Sequence, residues 1–204
     1  TSGKVYQNVI NKERGGKYLG ETVQLVPHVS NEIADLINQA AHIKIKEYQA
    51  ESDITILELG GTVGDIEGMI FLEALRQMKY KQTQDQFIFI HTCLLPLLHH
   101  ADEYKTKPIQ QSVKRLKEIG ISPDILCIRC KSDISQDIID KISLFCEVQP
   151  DEIIINKNTT SIYEVPILFS EQNIIETIFS KFNFNYNNFC LSNLDLSTFK
   201  ELAS

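Results

Sequence analysis

Tryptophan is absent, methionine occurs only twice, and no apolar run approaches the roughly 18 residues a membrane helix needs. No bilayer span and no membrane partner are therefore expected. A basic excess is lacking too: 20 Lys and Arg stand against 27 Asp and Glu, a formal net charge of −7. A chain that tracks a nucleic-acid backbone normally carries the opposite balance, so no nucleic acid is expected as a general partner. A local basic pocket for one small anion stays open. No G-x-x-x-x-G-K-[ST] loop occurs; Gly15-Gly16-Lys17-Tyr18 lacks both the upstream glycine and the hydroxyl residue after the lysine. No Ser–His–Asp or Cys–His spacing marks a nucleophile system. The opening Thr1-Ser2-Gly3-Lys4 has neither an initiator methionine nor a signal-peptide pattern.

Cysteine is sparse. Cys93, Cys127, Cys130, Cys146 and Cys190 sit mostly in apolar runs and lack the dense spacing of a secreted disulfide framework. Cys127-Ile128-Arg129-Cys130 is formally a C-x-x-C, but no second pair follows it and its first member lies in an apparent strand. Buried thiols are the better reading than zinc. A reducing, cytoplasmic compartment fits this usage.

What is present is an α/β pattern. With 204 residues and 43% hydrophobic character the chain can bury a sizeable core in one compact domain. Ile54–Leu59 predicts a buried strand ending in the turn Gly60-Gly61-Thr62-Val63-Gly64, and Phe87–His91, Ile125–Ile128 and Ile153–Ile155 predict three more. Runs so uniformly apolar suit parallel strands covered on both faces. Helical periodicity fills the gaps. Ser30 is read as an N-cap before Ile33, Leu36, Ile37 and Ala40, and Phe71, Leu72, Leu75 and Met78 mark a second helix. Pro108 opens a third, with Ile109, Val113 and Leu116 as its stripe and Gly120 as its stop. Ile138, Ile142 and Phe145 line a fourth, and a fifth is expected from about Glu171. The class is a mostly parallel open sheet with flanking helices. Leu94–Tyr104 reads as a loop, and the Asn- and Phe-rich residues 182–204 as an extension or linker after a domain over 1–181.

Ligands of open parallel sheets bind beyond the carboxyl ends of the strands, which points to Glu58 and the glycine turn. Glycines there let backbone N–H groups approach an oxyanion, a strand-end carboxylate can hold Mg²⁺, and Asp65 and Glu67 can accept from ribose hydroxyls. A plain glycine turn with Asp65 capping the next helix explains the same residues equally well. Lys105-Thr106-Lys107-Pro108-Ile109-Gln110 places two ammonium groups at a helix start, where cations are otherwise unfavourable by about 0.3–1 kcal/mol each. A phosphate site explains them better than a bare fold does. Lys141 on its own reads as a solvated residue, and Lys4, Lys12, Arg14 and Lys17 as an exposed basic rim. His99, His100, Asp102 and Glu103 read as a solvated loop rather than a metal site, and His28 and His91 as packed or capping histidines.

Several long motifs, in order, resemble the CTP synthase family. These are Gly16-Lys17-Tyr18-Leu19-Gly20, Val23-Gln24-Leu25-Val26-Pro27-His28, Glu58 through Glu67, Lys105 through Gln110, Ser122-Pro123-Asp124-Ile125-Leu126 and Ser161-Ile162-Tyr163-Glu164-Val165-Pro166. The resemblance is to the amidoligase (synthetase) domain and runs from about Gly3 to about Asn173. It implies a P-loop/dethiobiotin-synthetase-like fold, incomplete at its N-terminus. It also implies a reaction: ATP with Mg²⁺ phosphorylates O4 of UTP, and ammonia from glutamine then displaces the phosphate to give CTP.

By this resemblance Glu58 is a Mg²⁺ ligand. Gln24, Asp65, Ile66, Glu67, Lys105, Thr106, Lys107, Pro108, Ile109, Gln110 and Lys141 contact UTP or CTP, and Lys157, Asn158 and Thr159 contact ATP. A homotetramer is the implied assembly. Ile109 stands where the family has Thr, and Ile70 where it has Pro. The family's P-loop and glutaminase nucleophile have no counterpart in these residues, so the 204 residues are expected to be a fragment that is inactive alone. The alternative is a non-catalytic module that binds UTP or CTP or supports assembly. A third reading, a relative of dethiobiotin synthetase, is disfavoured by the Lys105–Gln110 segment.

Overall fold

The structure, a computed structural model, describes residues 1–44, 51–81, 86–98, 103–184 and 196–203. The described chain forms two compact units, Thr1–Gln82 and Thr83–Ser204.

The first unit is helical among its described residues. Helix α1 spans Ser2–Arg14, a π-helical turn covers Leu25–Val29, and α2 (Ser30–Ala41) and α3 (Ile66–Lys81) follow. Val5 and Val9, four apart on α1, meet Val29, Ile33, Ile70 and Ala74 in one core cluster. This short stripe creates a helix where the charge pattern alone suggested only an exposed rim. Lys12 leaves that rim: its ammonium pairs with Glu32 on α2, whose carboxylate is 4% exposed and also takes Asn8 Nδ2 at 2.7 Å. Ser30 is not an N-cap, because the preceding π turn runs straight into α2; its hydroxyl donates to Pro27 O at 3.2 Å.

Ile54–Leu59 forms no strand. A parallel strand exists only against a hydrogen-bonded neighbour, and no described residue of this unit pairs with it. Its apolar side chains are exposed in consequence, Ile56 by 91%.

The second unit carries a parallel three-stranded sheet in the order β1-β4-β5, with β1 at Ile90–Leu94, β4 at Ile125–Arg129 and β5 at Ile153–Asn156. Cys93 pairs with Ile128, and Leu126 with Ile153. Strand β1 begins at Ile90 rather than Phe87 because its partner begins at Ile125, directly opposite. Where a loop over 94–104 is predicted, β2 (Leu97–Leu98) and β3 (Glu103–Tyr104) form a small antiparallel hairpin. His99, His100 and Asp102 lie outside the described residues.

Helix α4 (Lys107–Glu118) buries Ile109, Val113 and Leu116 and is followed by Gly120 at φ 90°, as its stripe and stop predict. Helix α5 (Gln136–Cys146) turns Ile142 and Cys146 inward; Phe145, expected inside, is 55% exposed. Helix α6 (Val165–Glu171) ends where one was expected to start, and left-handed Asn173 separates it from α7 (Ile174–Lys181). Helix α8 (Ser197–Ala203) gives the tail regular structure, while residues 185–195, including Cys190, are outside the description. The main core packs β1, β4 and β5 against α4 and α5 through Leu95, Ile109, Val113, Leu126, Ile128, Ile142 and Cys146.

No helix among the described residues is long and apolar enough to cross a membrane. The four described cysteines are free and buried, as expected. Burial pushes the Cys93 thiol up to about 12 and the Cys146 thiol to about 11.

Candidate functional site

The lysine pair of the Lys105–Gln110 segment and Lys141, read apart from it in the sequence, belong to one region of the second unit. Lys105 connects β3 to α4, with its backbone N–H on Pro96 O at 3.0 Å. Its ammonium meets the Glu103 carboxylate at 2.6 Å. Lys107 is the first residue of α4, and its Nζ lies 6.0 Å from the ring centroid of Phe145 on α5. One turn earlier on α5 is the exposed Lys141. The Glu103 carboxyl is held below the usual carboxylate range, first by the hydrogen bond from Lys105, then by that ammonium's charge, with Lys141 adding to it.

The start of α4 therefore carries Lys105 and Lys107, with Lys141 near enough for its charge to act on Glu103. Such an arrangement favours an anion, phosphate above all. The flanking residues supply rigidity. Thr106 is 4% exposed and accepts Gln110 Nε2 at 3.1 Å, while Ile109 points its side chain into the core with 1% exposure.

Beyond the carboxyl ends of β4 and β5 lies a second polar group. Lys157 Nζ reaches both oxygens of Asp133, at 2.7 and 2.8 Å, a bond that raises its pKa. Arg129 Nη1 donates to Asn156 O at 3.0 Å, and Asn156 Oδ1 is a buried acceptor with no partner among the described residues. Thr159 Oγ1 donates to Ser161 O at 3.0 Å, and Asn158 is exposed. Asn156 and Asp133 were not singled out in the sequence, and Arg129 was named there only within the C-x-x-C. The signal for Arg129 and Asn156 was a polar residue closing an apolar strand.

The remaining candidates lie in the first unit. Gly61 at φ 91° and Gly64 at φ 103° allow a tight turn, and Asp65 Oδ2 accepts Thr62 N at 3.0 Å. Asp65 thus braces the turn just ahead of α3, with Ile66 and Glu67 exposed in the first helical turn. Gln24 is exposed, and its backbone N–H donates to His28 Nδ1 at 3.0 Å. His28 is packed edge-on to Tyr18 at 4.6 Å, a packed and capping histidine as predicted.

Glu58 is exposed, and no group of three or more His, Cys, Asp or Glu suited to a metal occurs among the described residues. One free carboxylate still fits Mg²⁺, which is commonly held by one or two carboxylates together with substrate phosphates. The structure therefore brings together Lys105, Lys107 and Lys141 and gives Lys157 its own bracing, all in the second unit. Gln24, Glu58, Asp65, Ile66 and Glu67 belong to the first.

Among known families, the one described as CTP synthase N-terminus matches residues 1–184, a range that takes in most of both units. The chain is 47% identical over 172 residues to CTP synthase of Schizosaccharomyces pombe, covering 84% of this chain and 28% of that protein. It is 48% identical over 183 residues to CTP synthase of Methanococcus maripaludis, covering 90% and 33%. Against CTP synthase 1 of Homo sapiens it is 45% identical over 176 residues, covering 86% and 30%. The chain spans a third or less of the length of these curated relatives.

Proposed function

This chain belongs to the CTP synthase family, and on that premise we propose that it is the part of such an enzyme that grips the pyrimidine nucleotide while UTP is aminated to CTP. The observation that carries this reading is the meeting of Lys105, Lys107 and Lys141 around the head of α4. A triphosphate takes the place of Glu103 as the partner of Lys105 and draws in Lys107 and Lys141, at a helix start whose dipole favours the same charge. Thr106 and Gln110, already bonded to each other, fix the loop that presents them. In this reading Ile109 offers only its backbone.

The chemistry gives each remaining group a task. A carbonyl oxygen is a poor leaving group, so O4 of UTP is first made a phosphate ester by ATP and then displaced by ammonia derived from glutamine. Such transfers rely on positioning and charge neutralisation, which lysines supply. Glu58 would hold Mg²⁺, whose contribution when bound is to neutralise the ATP phosphates. Lys157, Asn158 and Thr159 receive the adenine end of ATP, and Gln24, Asp65, Ile66 and Glu67, all carried by the first unit, are pyrimidine-nucleotide contacts by the family resemblance. The enzyme works as a cytoplasmic homotetramer.

The test is binding of UTP against uridine by calorimetry. The account expects UTP to bind about tenfold or more tightly, since one charge-assisted hydrogen bond is worth about 1.5–3 kcal/mol. Equal affinities would remove the phosphate from the interaction and the reading with it.

A further inference from the structure

Tyr104 ends β3, immediately before Lys105, and its hydroxyl engages a single residue of the loop between β4 and α5. It accepts the backbone N–H of Ser132 at 2.9 Å, lies 2.9 Å from Ser132 Oγ, and donates toward Ser132 O at 3.2 Å. Its ring packs against the main core, so the hydroxyl is aimed rather than swinging. The next residue of that loop, Asp133, is the one that takes Lys157 with both carboxylate oxygens.

One backbone bond ties the loop to β5, Cys130 N donating to Asn156 O at 3.1 Å, and the Cys130 thiol braces the loop internally by donating to Ser132 O at 3.2 Å. One short loop is thus gripped on one side by the neighbour of Lys105 and on the other by Lys157. Neither grip is needed to close the core, which α4, α5 and the strands already fill.

We propose that Tyr104 is a positioning residue that couples the two nucleotide subsites, its hydroxyl and Ser132 transmitting the placement of the Asp133–Lys157 pair to Lys105. This rests on the reading that Lys105 takes pyrimidine nucleotide phosphate and Lys157 lies against the adenine nucleotide. The reciprocal form of such a coupling is that each nucleotide tightens the other by the same factor. The physical route is rigidity. An adenine nucleotide that fixes Lys157 fixes Asp133, hence Ser132, hence the hydroxyl that sets the start of the Lys105 segment. Ordering cost is then met once for both ligands.

The experiment measures UTP affinity in the full-length protein with and without a non-hydrolysable ATP analogue, for the parent and for Tyr104→Phe. The ring and its packing are kept, so only the hydroxyl is lost. For the parent, the analogue is expected to tighten UTP by about 5-fold or more, the lower end of ordinary coupling factors. For Tyr104→Phe the factor falls to within about twofold of one, while UTP affinity without the analogue changes by less than about threefold, a loss of coupling alone. A variant factor equal to the parent's, or a parent factor of one, overturns the proposal. Asp133→Asn breaks the other grip and carries the same expectation should Tyr104→Phe fold poorly. Lys105→Ala separates the two layers. If it leaves UTP binding unchanged, the pyrimidine reading itself has failed; if it weakens UTP while Tyr104→Phe keeps full coupling, only the strut has.

Discussion

Lys12, in the last turn of α1, donates to Glu32 in the first turn of α2, and the two partners are unequally buried: 33% of the lysine side chain is exposed against 4% of the glutamate. The asymmetry decides what each substitution does. Removing the lysine strands a buried carboxylate with only Asn8 for company, whereas removing the glutamate releases an ammonium that reaches water.

Lys12→Met is therefore expected to destabilise the first unit by about 2–4 kcal/mol, and Glu32→Gln by about 1 kcal/mol, read as shifts in denaturant midpoint. Similar losses from both would mean that the glutamate is not the committed partner.

The same pair sets a pH window. Burial works to raise the Glu32 pKa, but the bonds from Lys12 and Asn8 outweigh it and leave the carboxyl below its ordinary 4.5. A depressed carboxyl contributes stability that is present above its unfolded value and lost as pH falls through the folded one. Lys12 is raised above 10.5, chiefly by the Glu32 bond, so its contribution is complete below 10.5 and fades above the folded value. The melting temperature should hold level between these limits and drop on the acid side, with Glu32→Gln flattening that acid slope. An unchanged slope in the variant contradicts the pairing.

Ile109 gives a sharper separation of fold from ligand. Its side chain is 1% exposed in the main core, so Ile109→Thr buries a hydroxyl in place of an ethyl group and leaves a small void. About 1–3 kcal/mol of stability should be lost. UTP affinity, measured below the melting transition, should stay within about twofold, because the side chain faces away from the lysines. A large change in affinity at constant stability would place this side chain at the ligand.

Thiol chemistry tests the core directly. With burial driving Cys93 to about 12 and Cys146 to about 11, neither holds an appreciable thiolate fraction near pH 8. Alkylation followed by mass spectrometry should leave both unmodified in the native protein and label both after denaturation. Rapid native labelling of Cys93 would contradict the packing of β1.

The parallel sheet was legible from the sequence because Ile125–Ile128 and Ile153–Ile155 are apolar on every residue, as strands covered on both faces must be. Helix α4 was equally plain, with Pro108 in its first turn and three stripe residues that are all buried. Ile54–Leu59 carries the same apolar signal yet forms no strand, since pairing depends on a neighbour that periodicity does not reveal. Helix α1 was hidden because just two of its residues, Val5 and Val9, are buried.

At the site, Lys105 and Lys107 stood out as cations where a helix start disfavours them. The convergence of Lys141 depends on α5 packing beside α4, a tertiary fact. Tyr104 and Asp133 gave no sequence signal, because a hydroxyl bond and an ion pair spanning 28 and 24 residues leave no local pattern.

The most direct measurement is calorimetric titration of UTP into the full-length protein and its Lys105→Ala variant at moderate ionic strength. A lysine that holds a nucleotide phosphate should, when truncated, weaken UTP by about tenfold or more, with uridine scarcely affected. Equal UTP affinity in parent and variant would show that the cluster ahead of α4 does not receive the nucleotide.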